Sequence, residues 1–142
     1  MKDMSAAQWR PFLSSFVKEL TQNLTPTLLA QVMRHSGARF AHDRRLAPAA
    51  TVADMELAMN LVWREIGWGE VIIKEAPDWL ELSHRNAPLE ATFGVDNQAW
   101  SVAFLEGAYE AWMHQLGADP RLRMTTANAL DVSGSMVFRF GQ

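Results

Sequence analysis

The sequence predicts an α+β fold, an antiparallel sheet covered by helices, and three observations point to it. Apolar residues recur at three- and four-residue spacing along four segments, the signature of amphipathic helices. Two short runs, Val71 to Glu75 and Trp79 to His84, flank a proline turn and read as a hairpin, and a further pair of strands closes the chain. The order is three helices, two strands, a helix and two strands, which by layer logic places helices over one sheet. With 142 residues, 49% of them apolar and 20% charged, the chain is large enough for one packed core, so residues 1–142 form a single domain.

The elements follow in order. Ser5 is placed to cap a first helix in which Trp9, Phe12, Leu13, Phe16, Val17 and Leu20 form one stripe, with Pro11 near its first turns. Thr25 followed by Pro26 reads as an N-cap and first helical position for a second helix through Leu28, Leu29, Val32 and Met33, running to about Phe40. Residues Arg44 to Pro48 form a connector. Thr51 with Asp54 is a variant of the capping box, and opens a third helix whose face is Met55, Met59, Val62, Trp63 and Ile66. Gly67 stands where a helix end favours a left-handed residue, and Gly69 lets the chain turn into a strand with no Cβ in the way, so Trp68 between them plugs the corner. The hairpin presents Trp79, Glu81 and Ser83 on one face of its second strand and Leu80, Leu82 and His84 on the other. Residues Arg85 to Val95, with Pro88 and Gly94, read as a loop. Asn97 then caps a long helix carrying Trp100, Phe104, Leu105, Tyr109, Trp112, Met113 and Leu116, closed by Gly117. Strands from Arg121 to Thr126 and from Met136 to Phe140 complete the fold, joined through Asn128, Asp131 and Gly134.

Several function classes are disfavoured by composition. A net charge of -3 gives no basic face for a phosphate backbone, so nucleic acid is not an expected partner. Without cysteine there is no disulfide framework, thiolate metal site or cysteine nucleophile. The N-terminal residues MKDMSAAQWRPF contain no apolar run of the kind a secretory signal needs, which points to the cytoplasm.

The search for chemistry yields candidates rather than a motif. The histidines His35, His42, His84 and His114 fall in no metal-binding pattern, and surface or hydrogen-bonded roles suit them better than a metal site. Ser15 and Lys18 match Ser-x-x-Lys but lack the partner motifs of that chemistry. Glu106 and Glu110 lie one helical turn apart, a spacing that suits paired carboxylates or a solvated face. Gly107, mid-helix, marks a close backbone approach, and we expect a second subunit to make it; Trp112 joins it as a possible oligomer contact. Among the six tryptophans most fall on helical stripes and suit core or subunit contacts, and Trp9, near the end of the chain, is the candidate to meet a sugar. Arg34, Arg39, Arg44 and Arg45 form a basic cluster suited to a charged rim or partner contact. No nucleophile, base and orienting group can be named together, so an enzyme is not expected, and neither a cofactor nor a metal is called for.

The segments LVWREIGWGEVII, from Leu61 to Ile73, and LEGAYEAW, from Leu105 to Trp112, resemble the family of D proteins encoded in bacterial cellulose synthase operons. MRHSGARFA, from Met33 to Ala41, is similar to that family's second-helix end, and the likeness is strongest over Met59 to Glu75 and Trp100 to Ala118. The resemblance implies a non-catalytic accessory protein that forms a homo-octamer, a tetramer of dimers. It implies a role in ordering β-1,4-glucan chains for export, with a proline-rich protein of the same operon and the synthase complex at the inner membrane as partners. The loop from Asn86 to Val95 does not align residue by residue with that family and the N-terminus carries no motif of it, so no residue lining the inner passages that the resemblance implies for glucan transfers. The Gly-Trp-Gly corner and glycine-containing helix also resemble dimeric vinyl-reductase-like sensor domains, which would require an enclosed apolar cavity of about 300 to 1,000 Å³.

Overall fold

Two threonines start two of the helices. Thr25 Oγ1 accepts the Leu28 N–H at 3.2 Å ahead of Pro26, and Thr51 Oγ1 accepts the Asp54 N–H at 3.1 Å, so both expected N-caps are in place. In the computed structural model, which describes residues 5–128 and 135–142, these helices are α2 (Pro26–Asp43) and α3 (Val52–Ile66), preceded by α1 (Ser5–Asn23). The side chain of Ser5, Asp131 and Gly134 lie outside the described residues. Helix α2 runs beyond Phe40 because the Arg44 N–H caps it on the Phe40 and Ala41 carbonyls.

Gly67 ends α3 at φ 70°, in the left-handed region. Its N–H bonds the Arg64 carbonyl while the Trp68 N–H bonds that of Trp63, the paired closure of a Schellman motif. Gly69 follows at φ 85°, and a Cβ there would lie 1.8 Å from the Arg85 carbonyl oxygen, so both conformation and space require glycine. The chain emerges as β1 (Glu70–Glu75) and returns as β2 (Leu80–Arg85), the expected hairpin, with Glu75 opposite Leu80.

Where the sequence reads as a loop there is a short helix, α4 (Leu89–Phe93), pinned by the fully buried Leu89. The long helix expected from Asn97 is divided into α5 (Gln98–Ser101) and α6 (Ala103–Gln115) by a tightened turn at Val102. Asn97 stands at the start, yet its side chain does not cap. Its amide donates to the Phe93 carbonyl and its oxygen accepts the Trp100 indole N–H, so the Trp100 ring takes the acceptor that a cap would need. Gly117 closes α6 at φ 104°, as expected. Strands β3 (Arg123–Asn128) and β4 (Ser135–Gly141) complete an antiparallel sheet in the order β1-β2-β4-β3.

The helices cover one face of this sheet. Leu82 and His84 of β2, Met136, Phe138 and Phe140 of β4 and Met124 of β3 point inward, against Met59 and Trp63 of α3 and Leu105, Tyr109 and Trp112 of α6. Trp63 is the hub, with the rings of Phe40, Trp68, His84, Tyr109 and Trp112 around it at centroid distances of 5.1 to 6.1 Å.

Candidate functional site

Glu106 and Glu110 both project from α6 toward Arg34 of α2. The Arg34 guanidinium donates to Glu106 Oε1 at 3.0 Å, to Glu110 Oε2 and to the Met124 carbonyl. Thr126 donates to Glu106 Oε2 at 2.6 Å, and Arg123 to Glu110 Oε1 at 3.2 Å. Two carboxylates are thus matched by two guanidiniums in a half-buried clamp across α2, α6 and β3. Every carboxylate oxygen is engaged, which leaves this pair as a structural fastener rather than a free acid and base. Arg34 therefore does not belong with Arg39, Arg44 and Arg45, which stay exposed.

Gly107 and Trp112, expected at a subunit contact, are both buried within the chain. A Cβ on Gly107 would stand 1.9 Å from the Arg34 carbonyl oxygen, and one on Gly37 would stand 1.9 Å from that of Phe104, so the close approach is between α6 and α2 of one chain. Trp112 is fully buried and donates its indole N–H to the Arg44 carbonyl at 3.0 Å. Within the chain, the close approach expected of a second subunit at Gly107 is made by α2, and Trp112 packs beneath the end of that helix. Sequence spacing does not single out Gly37, although a second glycine on a facing helix is the complement that Gly107 needs.

His84 is likewise no surface histidine. It is fully buried, its Nε2 is 2.7 Å from the Trp68 carbonyl oxygen, and its Nδ1 meets the Tyr109 hydroxyl, which also accepts the Trp63 indole N–H at 3.0 Å. A carbonyl only accepts, so Nε2 carries the proton; Nδ1 then accepts from the Tyr109 O–H. Burial lowers the His84 pKa to about 4, against the raising effect of the Trp68 carbonyl, and burial raises that of Tyr109 well above its ordinary value. The chain Trp63, Tyr109, His84, Trp68 is neutral and satisfied. His35 and His42 are exposed, and His114 Nε2 is paired with the Leu122 carbonyl.

The outer surface of the helices is different in kind. On α1 the predicted apolar stripe is largely uncovered: Trp9 is 59% exposed, Phe12 57% and Phe16 49%, while Val17 is the residue of that stripe that is buried. Phe12 and Phe16 stack at 5.8 Å and Trp9 abuts Phe12 edge-on at 6.2 Å, so the three rings form one ledge. Leu28 and Val32 of α2 and Leu57 and Leu61 of α3 are also exposed, although the first two belong to the predicted apolar stripe of their helix. The helix–helix crossing at Gly37 instead turns Leu29, Gly37 and Ala41 inward.

Beside this ledge runs an open groove between α1 and the 88–97 segment. One hollow of about 470 Å³ is lined by Arg10, Ser14, Lys18, Thr92, Asp96 and Asn97, and a neighbouring one of about 190 Å³ by Trp9, Leu13 and Pro88. Both open to solvent, unlike the enclosed cavity a sensor domain of the second kind would need. The space around Trp63 is filled by rings. Among the described residues no helix is long and apolar enough to cross a membrane, and no three His, Asp or Glu residues converge on a common point.

Residues 1–141 match the family of cellulose synthase D subunits. The chain belongs to that family. A protein named cellulose synthase operon protein D, from Komagataeibacter xylinus, is 31% identical over 94 residues, covering 64% of this chain and 58% of that protein. The match therefore spans little more than half of that relative's length. As a member of the cellulose synthase D family, the chain combines a satisfied interior with an aromatic ledge on its first helix, and the ledge with its adjoining groove is the candidate functional surface.

Proposed function

We propose that this member of the cellulose synthase D family takes part in bacterial cellulose synthesis as a non-catalytic accessory protein. It assembles with copies of itself and organises synthase complexes, so that β-1,4-glucan chains leave in ordered array. The observation that carries the reading is the uncovered aromatic face of α1: a charged, well-packed domain that exposes three adjacent rings has a surface suited to being covered by protein. The engagement of Glu106 and Glu110 by Arg34 supports a non-catalytic role, since the carboxylate pair best spaced for acid–base work is committed to the fold. In this reading Phe12 and Phe16 lie between copies and Trp9, at the mouth of the groove, contacts glucan. The synthase at the inner membrane and a proline-rich protein of the same operon are the further partners.

Light scattering on the purified chain tests the assembly. Eight copies of the 16.0 kDa chain amount to about 128 kDa, and a mass near that value is the expected result. A monomer at micromolar concentration would overturn the scaffold. Glucan contact is tested separately, by retention on cello-oligosaccharide: Trp9→Ala should weaken it without changing the mass.

A further inference from the structure

Helix α3 holds the outer edge of the sheet with its side chains. Asn60 receives the Val71 N–H on its oxygen at 2.7 Å and returns its own N–H to the Val71 carbonyl at 2.9 Å, replacing a missing strand. One step along, the Ile73 N–H donates to Glu56 Oε2 at 2.9 Å. The join between α3 and β1 is the Gly67-Trp68-Gly69 corner, and its central carbonyl is held by His84 from β2. The imidazole is therefore the tie between the corner and the middle of the sheet.

That tie tolerates one proton on the ring. The Tyr109 oxygen already accepts from Trp63, and the Tyr109 O–H needs Nδ1 as its acceptor. A proton on Nδ1 would set two donors against each other at a fully buried contact. Among the described residues no countercharge waits nearby. Around the ring, α3 presents Trp63 and α6 presents Tyr109, while Val71 of β1 and Met136 of β4 lie opposite His84 in register. Glu106 and Glu110 of α6 are turned to Arg34, and Glu56 of α3 is engaged by Ile73. The neighbours of His84 along β2 and β4, Glu81, Arg85 and Arg139, alternate to the other face or reach solvent.

We propose that the α3–β1 corner is an acid-operated latch: protonation of His84 releases the Trp68 carbonyl and loosens the grip of Asn60 and Glu56 on the β1 edge. With the corner open the imidazole enters water and regains its ordinary basicity, so each unit of acidification between about pH 6.5 and 4 favours the open form. The proposal is independent of the scaffold reading.

Amide hydrogen exchange on the full chain reads the latch, after correction for intrinsic rates. From pH 8 to pH 5, protection at Val71 and Ile73 should fall on the order of 30-fold, the ratio given by an imidazole near 4 closed and near 6.5 open. It should stay below that of Met136 and Phe138 in the central strand β4. In H84Q the dependence should vanish, and in E56Q, which keeps an acceptor for Ile73, it should persist. A flat wild-type profile, persistence in H84Q or loss in E56Q would overturn the latch. So would equal protection at Val71 and Phe138 at every pH, which means one global unfolding. Should H84Q fail to fold, nitrogen resonances of the wild-type His84 imidazole decide: the ring must stay neutral down to about pH 4 in the closed protein, and if it takes its second proton near pH 6.5 while Val71 remains protected, the latch is wrong.

Discussion

Gly107 and Gly37 reverse the sign of a common substitution. Replacing a helical glycine with alanine ordinarily gains about 1 kcal/mol, because alanine has less freedom to lose. Here each added methyl would land 1.9 Å from a backbone oxygen of the facing helix, so α2 and α6 must part. Gly107→Ala should cost about 3 kcal/mol and lower the melting temperature on the order of 10 °C; an unchanged or higher melting point would mean the helices are not in this contact. Asn60 offers a second test at this scale. Asn60→Ala strands the N–H and C=O of Val71 at a buried edge, for a loss of about 2 kcal/mol in chemical denaturation. The glycines at the corner are legible from sequence, since a left-handed φ demands them, and so is the close approach at Gly107. The identity of the neighbour is not. Sequence spacing says that a backbone comes close, while the choice between a helix of the same chain and one from another depends on the α2–α6 crossing.

Helix α1 shows what periodicity reports. Its three- and four-residue spacing of apolar side chains gives a helix with one apolar face, and the helix is there. The same spacing carries no information about what covers that face, and α1 meets the rest of the chain through α4 and part of α2, leaving its aromatic ledge in the open. A paired change, Phe12→Ser with Phe16→Ser, should therefore reduce the solution mass severalfold. The thermal stability of the released chain should change by less than about 1 kcal/mol, since neither ring is in its core. Unaltered mass would remove α1 from the assembly surface. The hairpin from Glu70 to Arg85 is readable because a proline turn and an alternating pattern agree. The break at Val102 is not, for it is a single tightened turn, the Leu105 N–H reaching the Val102 carbonyl, within an apolar spacing that runs on unbroken.

At the scale of the whole molecule, the buried His84 links stability to pH. Folded, it stays neutral to about pH 4; unfolded, it takes a proton near 6.5. Between those values the unfolded chain binds more protons, so stability declines as pH falls through this window and levels off below it, by about 3 kcal/mol in total. Denaturant midpoints of wild type and H84Q at pH 7.5 and 4.5 check this, with the smaller drop expected in H84Q. The candidate surface is legible as the apolar stripe of the first helix with Trp9 near its start, while its being left uncovered is not. The polar chain through Tyr109 and His84 is invisible in the sequence, because residues far apart along the chain become partners only once β2 and α6 pack.

The side chains of Asn60 and Glu56 have a geometric consequence for growth. A sheet normally has two open margins, and each can recruit a strand, whose own free margin can recruit another. In the order β1-β2-β4-β3, one margin is occupied by α3, so among the described residues β3, whose Met124 carbonyl is held by Arg34, is the strand left to receive one from a neighbour. Two copies joined there, β3 against β3, would leave no vacant margin. Pairing through strands is self-terminating in this fold, giving a closed twofold pair instead of a fibril.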